Sequence, residues 1–389
     1  MDEKTSGLFF ALLKNEICGK ELSDEEKSLV TEDVIKALYQ AAKTQDLAHL
    51  ISDALFKNGL LNKDMVGAKA FLRQQQTAVF RYEQIRFELE ELCAVLEETR
   101  IAYMPLKGSV LRAYYPEPWM RTSCDIDIYV QKSDLKKAVA VITEKLGYTN
   151  EELGGTHDVS LYSPSGVHLE LHFDLIEDYL GTEVARELEK VWEESVPVKE
   201  GAYQRRARDE GFYFYHVAHM AKHFKNGGCG VRPFIDLWIM NAYMPCEKAI
   251  LSEKLQVASL TAFYDGASRL CDVWFLDKEH DDLTAAMEEF LFTGGAFGTT
   301  ETRVQATLNQ KQGKGGYVLS RIFLSYKEIK ARHPSVAKFP PLYLFFTVKR
   351  WFNLLFVRGR AKNSLRELNA LKAEKGDDRK DLMFTYLGV

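Results

Sequence analysis

The sequence has no apolar run of transmembrane length and no secretory leader pattern. It opens Met1-Asp2-Glu3-Lys4, and its first apolar patch, Leu8–Leu13, is short. Its six cysteines (Cys18, Cys93, Cys124, Cys229, Cys246 and Cys271) include no Cys-x-x-Cys pair. That excludes a zinc knuckle and a dithiol redox motif. Reduced thiols in a cytoplasmic protein are the expectation. There is no basic excess either: the net charge is −5 over 389 residues, so no bulk nucleic-acid partner is expected. Internal repeats and low-complexity tracts are also missing. The composition, 46% hydrophobic and 28% charged, is that of a globular chain long enough for two or three domains.

Two common catalytic motifs fail on single residues. Gln312-Gly313-Lys314-Gly315-Gly316 is glycine-rich but is not followed by Lys-Ser/Thr, so it is not a Walker-type phosphate loop. His219-Met220-Ala221-Lys222-His223 lacks the Glu that a zinc hydrolase needs beside its first histidine.

What is present begins with helices. Leu8, Phe9, Leu12 and Leu13 recur at helical spacing. Ser23 and Glu26 fit a capping box. Asp64 to about Glu98 reads as one long helix. At Ile101 the pattern changes. A short strand over Ile101–Met104 leads through Pro105 to the turn Lys107-Gly108-Ser109, then a short helix over Val110–Tyr115. Asp125-Ile126-Asp127-Ile128-Tyr129-Val130 alternates as a strand, so Asp125 and Asp127 share one face and Ile126, Ile128 and Val130 the other. Ser133-Asp134 opens a helix that ends at Gly147. Asp158–Tyr162, the turn Ser163-Pro164-Ser165-Gly166 and Val167–Leu175 form a hairpin signal. Its second strand places His168, Glu170 and His172 on one face.

Adjacent carboxylates repel unless a cation lies between them. Mg²⁺ is commonly held by one or two carboxylates together with substrate phosphates. A Gly-Ser turn can bring backbone N–H groups to a phosphate. Asp125, Asp127, Gly108 and Ser109 therefore read as a metal–phosphate site. Glu170 is a third carboxylate if its strand pairs beside the Asp-x-Asp strand. The competing reading is two solvated strand faces.

Gly-Ser followed by Asp-x-Asp and a later acid resembles the DNA polymerase β-type nucleotidyltransferase superfamily. Lys107-Gly108, Leu111, Tyr115-Pro116, Arg121, Asp125-Ile126-Asp127 and Glu170-Leu171-His172 are similar to a narrower bacterial group of uncharacterised nucleotidyltransferases. The likeness covers residues 101–175; Glu170 stands where Asp is more usual, and the gap from Ser109 to Asp125 is longer. It implies an α+β fold, a small mixed-sheet core flanked by helical regions. It also implies an enzyme using Mg²⁺ (or Mn²⁺) at Asp125, Asp127 and Glu170. Gly108 and Ser109 would hold the triphosphate, and Lys107 or Arg121 would neutralise it. The partners would be a nucleoside triphosphate and an unidentified small-molecule or protein acceptor.

The expected domains are a helical region over 1–100, the core over 101–200 and a helical region over 201–389. In the last, Phe212–Phe224 reads as a helix with His216, His219 and His223 on one face, followed by a flexible Gly-rich turn. Lys222, His223 and Arg232 are further candidates for nucleotide or acceptor binding; Asp236 is read as orienting Arg232 or a histidine. The alternative for this helix is a partly buried amphipathic packing helix. Leu342–Val357 is strongly apolar, and Leu342–Arg366 carries six basic residues and no acid. That pattern suits either docking on the protein itself or contact with an anionic membrane surface. The rival functions are thus a nucleotide-binding protein without turnover and a peripheral membrane module.

Overall fold

The structure, a computed structural model, describes residues 2–150, 157–175, 180–310, 335–356 and 378–389, with isolated positions at 323, 324, 326, 329, 367 and 369–371. The Gly-rich run at 312–316 lies outside the described residues. The chain forms two compact units: residues 1–220 with 231–280, and 221–230 with 281–389. The architecture is α+β, a small mixed sheet with flanking helices.

The first unit opens with helices α1 (Glu3–Cys18), α2 (Asp24–Ser28), α3 (Glu32–Thr44), α4 (Ala48–Lys57) and α5 (Ala68–Glu98). The Ser23–Glu26 capping box forms at α2, as the spacing predicts. Helix α5 starts four residues later than its composition suggests. Gly67 takes φ +86°, a conformation outside the right-handed helix, and the helix begins after it.

The sheet follows, with strands β1 (Tyr103–Pro105), β2 (Asp125–Val130), β3 (Thr149–Asn150), β4 (Asp158–Tyr162) and β5 (His168–His172). Between β1 and β2 lie the short helix α6 (Gly108–Leu111) and two 3₁₀ turns, Arg112–Tyr114 and Pro118–Met120. Helix α7 (Leu135–Leu146) follows β2 and stops at Gly147, φ +70°. The strand order is β1-β2-β5-β4-β3. Only β2 and β5 run parallel; their register sets Asp125 opposite His168 and Asp127 opposite Glu170. The hairpin partner β4 is antiparallel to β5.

Alternation decides what each face of the sheet meets. Ile126, Ile128 and Val130 from β2 and Leu169 and Leu171 from β5 are fully buried, or nearly so, against Ile85, Leu92 and Leu96 of α5 and Ala138 and Ile142 of α7. Each such aliphatic side chain contributes about 1.5–3 kcal/mol by leaving water. Buried Glu88 ties α5 to two places: Tyr148, just before β3, donates to it at 2.8 Å, and Ser165 in the hairpin turn at 2.6 Å. The opposite face carries Asp125, Asp127, His168, Glu170 and His172. The core thus fixes the orientation of the polar face.

The first unit continues with α8 (Thr182–Glu193), the two-stranded pair β6 (Val196–Pro197) and β7 (Arg205–Arg206), α9 (Asp209–Lys225), α10 (Arg232–Tyr243), α11 (Lys248–Val257) and α12 (Thr261–Leu276). Helix α9 crosses into the second unit after Met220.

The second unit contains α13 (Asp282–Gly294), α14 (Thr300–Gln310) and helices over Leu342–Phe356 and Asp378–Leu387. Phe224, Phe290 and Phe384 pack with ring centroids 4.9–5.7 Å apart. The turn after α9 is more constrained than its glycines suggest. A methyl at Gly227 would lie 2.5 Å from Arg303 Cγ and 2.8 Å from the Arg303 backbone. The carbonyl oxygen of Gly227 would similarly crowd a methyl at Gly294 or Gly298, at 3.0 and 2.9 Å. The glycines are there for close backbone approach. Leu344, Phe345 and Val348 are exposed on the Leu342–Phe356 helix. Among the described residues no helix is long and apolar enough to cross a membrane.

Candidate metal and nucleotide site

The polar sheet face is built from the β2–β5 pairing. Asp127 is buried, and its Oδ1 receives Lys107 Nζ at 2.7 Å and His172 Nε2 at 2.9 Å. Glu170 Oε2 lies 3.4 Å from His172 Nε2 and 3.9 Å from Lys107 Nζ. Burial raises the proton affinity of Asp127, but Lys107 and His172 outweigh it and hold the carboxyl well below the usual range. Burial opposes the charge on His172 and Lys107; their carboxylate partners prevail and raise both pKa values. The hydrogen bond from His172 lowers Glu170. Asp125 differs. Burial, then the Asp127 charge, pushes it up to about 6.

The loop that delivers Lys107 is a tight turn. Ser109 N donates to Leu106 O at 3.1 Å, and Leu106 N is itself anchored to Asp127 O at 3.0 Å. Lys107 sits at φ +45°, ψ −120°, the first central position of a type II′ turn, where Gly is the usual occupant. Such a conformation costs a non-glycine residue about 1–3 kcal/mol and is found where function demands it. Here it accompanies the Lys107–Asp127 contact.

Gly108 is buried beside two guanidinium groups. A methyl in its place would lie 3.5 Å from both Arg112 Nη2 and Arg121 Nη1. Arg112 Nε donates to Gly108 O at 2.7 Å and its Nη2 to Ser123 Oγ at 3.1 Å. Burial, then the neighbouring Arg121, pushes Arg112 down to about 10. Ser109 lines a cavity of about 290 Å³ with Pro105, Val110, Tyr114, Arg205 and Phe212. Asp125, Asp127 and Glu170 do not line that cavity.

Arg121 is held from α10. Its Nε donates to both oxygens of buried Asp236 at 2.8 and 3.0 Å, and its Nη1 donates to Thr122 O at 2.6 Å. Tyr115 donates to the same carboxylate at 2.7 Å. Asp236 therefore orients Arg121 rather than Arg232, whose guanidinium pairs with Asp46. The first unit brings Lys107, Asp125, Asp127 and Glu170 together, with Gly108 and Arg121 on the adjoining loop. Lys222 and His223 belong to the second unit. His216 is a buried packing residue whose ring nitrogen lies 3.0 Å from Pro233 O.

Some site residues escaped the sequence reading. Arg112 lies one helical turn beyond Gly108, a spacing visible in the chain but without a motif. Tyr215 is buried on α9, and Lys107 and all three carboxylates lie close enough to act on its phenol. Burial, the largest influence, raises its pKa. Nothing in a single sequence connects it to a strand some ninety residues earlier.

The side chains fit a divalent cation. Asp127, Glu170 and His172 offer donor atoms within 4.8 Å of one another, and so do Asp125, His168 and Glu170. His168 Nε2 is buried without a hydrogen-bond partner, as a nitrogen kept for a ligand would be.

A small mixed sheet with flanking helices is consistent with an α+β nucleotidyltransferase-like fold. The chain belongs to the family described as uncharacterised nucleotidyltransferase, whose model matches residues 31–276. That span contains the whole sheet and helices α10 to α12. Comparison with curated proteins and with solved structures returned no match.

Proposed function

We propose that the chain is a metal-dependent enzyme that transfers a nucleoside monophosphate from a nucleoside triphosphate to a hydroxyl or amine acceptor. The observation that carries this reading is the convergence of Asp125, Asp127 and Glu170 on one sheet face beside Lys107. In this reading residues 101–200 carry the chemistry, and 1–100 and 201–389 flank it.

Asp125, Asp127 and Glu170 would hold Mg²⁺ or Mn²⁺, which supplies charge stabilisation for the attacking and leaving oxygens. Glu170, the more exposed of the acids around Lys107, takes the acceptor proton. The acceptor oxygen or nitrogen bonds to the α-phosphorus as the bond to the bridging oxygen breaks. Pyrophosphate leaves with the bonding electrons. Lys107 neutralises phosphate charge as a compact ammonium. Gly108 and Ser109 present the turn against which the triphosphate lies, and Arg112 and Arg121 make that corner electropositive. The buried Asp236 keeps Arg121 in place.

The test is pyrophosphate release from each of the four ribonucleoside triphosphates, with Mn²⁺ or Mg²⁺ and a pool of sugars, alcohols, amines and candidate proteins. Release with one nucleotide, abolished in Asp127→Asn, supports the reading. Nucleotide binding without release under any acceptor supports instead a binding protein without turnover.

A further inference from the structure

The two donor groups on the sheet face are not equivalent. In the first, Asp127 already receives Lys107 and His172 at 2.7 and 2.9 Å, so its charge is met from within the protein. In the second, no hydrogen bond or ion pair from the described residues reaches the half-buried Asp125 carboxylate. His168 Nε2, by contrast, is a fully buried atom without a hydrogen-bond partner. A buried nitrogen without a partner, beside a carboxylate that no protein group meets, marks a place that a ligand completes.

The geometry is held from both sides. The parallel register sets Asp125 directly opposite His168, and Glu170 follows two residues along the same strand face. Tyr162 on β4 stacks on the His168 imidazole, with centroids 4.8 Å apart and ring planes 19° from parallel. The ring is therefore oriented before any ion arrives. The donor atoms of Asp125, His168 and Glu170 lie within 4.8 Å of one another, a spacing that a single cation can bridge.

We propose that Asp125, His168 and Glu170 form the first divalent-cation site of the free protein, one that selects a transition ion such as Mn²⁺ over Mg²⁺. The selection comes from the donor set. Mg²⁺ takes oxygen ligands and gives up its water reluctantly. Imidazole nitrogen suits first-row transition ions. The second group, around Asp127, has to release Lys107 before an ion can enter, so it fills later or only with nucleotide present. The inference rests on the reading of this face as a metal site. It does not require that a nucleotide be turned over.

The test uses the full chain without nucleotide. Calorimetric titration with MnCl₂ and with MgCl₂ should give one Mn²⁺ bound, about tenfold or more tighter than Mg²⁺. Pulsed electron paramagnetic resonance of bound Mn²⁺ should show coupling to an imidazole ¹⁴N. In His168→Phe, which retains a ring to stack on Tyr162, that coupling disappears and Mn²⁺ affinity falls about tenfold or more. His168→Gln is the second variant should the first fail to fold. Asp127→Asn retains the coupling. Equal affinity for the two ions, absence of ¹⁴N coupling in the wild type, or its persistence in the folded His168 variants would overturn the proposal. Loss of nucleotide binding with the His168-dependent Mn²⁺ signal intact would count against the transferase reading alone.

Discussion

Lys107 Nζ lies 2.7 Å from Asp127 Oδ1, and the backbone of Lys107 is held at φ +45° while it makes that contact. The ammonium stands where a cation would otherwise meet the carboxylate. Removing it in Lys107→Met leaves His172 as the remaining hydrogen-bond partner of the buried Asp127 carboxylate. Stability should fall by about 1–3 kcal/mol. Asp127→Asn in the same background should recover part of that loss, because the uncompensated charge is gone. Urea unfolding of the wild type, both single variants and the double variant measures the coupling; additive effects would contradict it.

Asp236 and Arg121 form a buried pair, with Tyr115 as a third member. Asp236→Asn leaves the Arg121 guanidinium uncompensated and should cost about 3–5 kcal/mol. Burial works against the Asp236 charge, but Arg121 and His216 hold its carboxyl below the ordinary range. The segment from Tyr115 to Arg121 leads directly into β2, so the loss should also loosen Asp125. Faster hydrogen exchange over residues 115–125 in the folded variant is the expected sign, and unchanged exchange would show that the pair stabilises without positioning.

Two buried groups in the first unit respond to pH in opposite senses. His49 Nε2 lies 2.8 Å from Met120 O, and burial holds its pKa down to about 4 from an ordinary 6.5. Its contribution is full above pH 6.5 and is lost as pH falls toward 4. Glu16 lies 3.2 Å from Lys57, yet burial and neighbouring Asp53 push it up to about 7 from 4.5. Its contribution is present below pH 4.5 and is lost as pH rises toward 7. Relative to wild type, His49→Gln should therefore lose stability as pH rises through the first window, by up to about 3 kcal/mol. Glu16→Gln should gain over the second window. Denaturant melts across pH 4–7 read both slopes; parallel curves for all three proteins would refute the assignment.

Gly227→Ala should destabilise the second unit by about 2 kcal/mol or more, since the new methyl meets Arg303 backbone and adopts φ +110°. Hydrogen exchange within Asp282–Gly294 is the measurement, with loss of protection expected. Unchanged protection would mean that the close approach is relieved at no cost.

The sheet faces were legible in the sequence because alternation alone assigns them: Ile126, Ile128 and Val130 to the core, and Asp125 and Asp127 away from it. The hairpin was legible from its Ser-Pro-Ser-Gly turn. That β5 lies parallel beside β2 was not, because strand neighbours are chosen by packing across the whole chain. Sequence alone consequently left His168 and His172 without an assigned ligand role, with a solvated strand face as the competing reading. Asp236 and Arg232, four apart on one helix, suggested a local pair; each instead found a partner in another element, Arg121 and Asp46. The glycines of 227–230 read as flexible because close packing against Arg303 leaves no local trace. Residues Val110–Tyr115, expected as one helix, divide into α6 and a 3₁₀ turn.

The most direct measurement is thermal stabilisation by ATP, GTP, CTP and UTP, each with Mn²⁺ or Mg²⁺, in the wild type and in an Asp125→Asn/Asp127→Asn double variant. A ligand that binds the native state raises its melting temperature by mass action. Metal-dependent stabilisation by at least one nucleotide, absent from the folded double variant, is the expected result. Failure of every triphosphate to stabilise the wild type with either metal would contradict the assignment of this sheet face to nucleotide transfer.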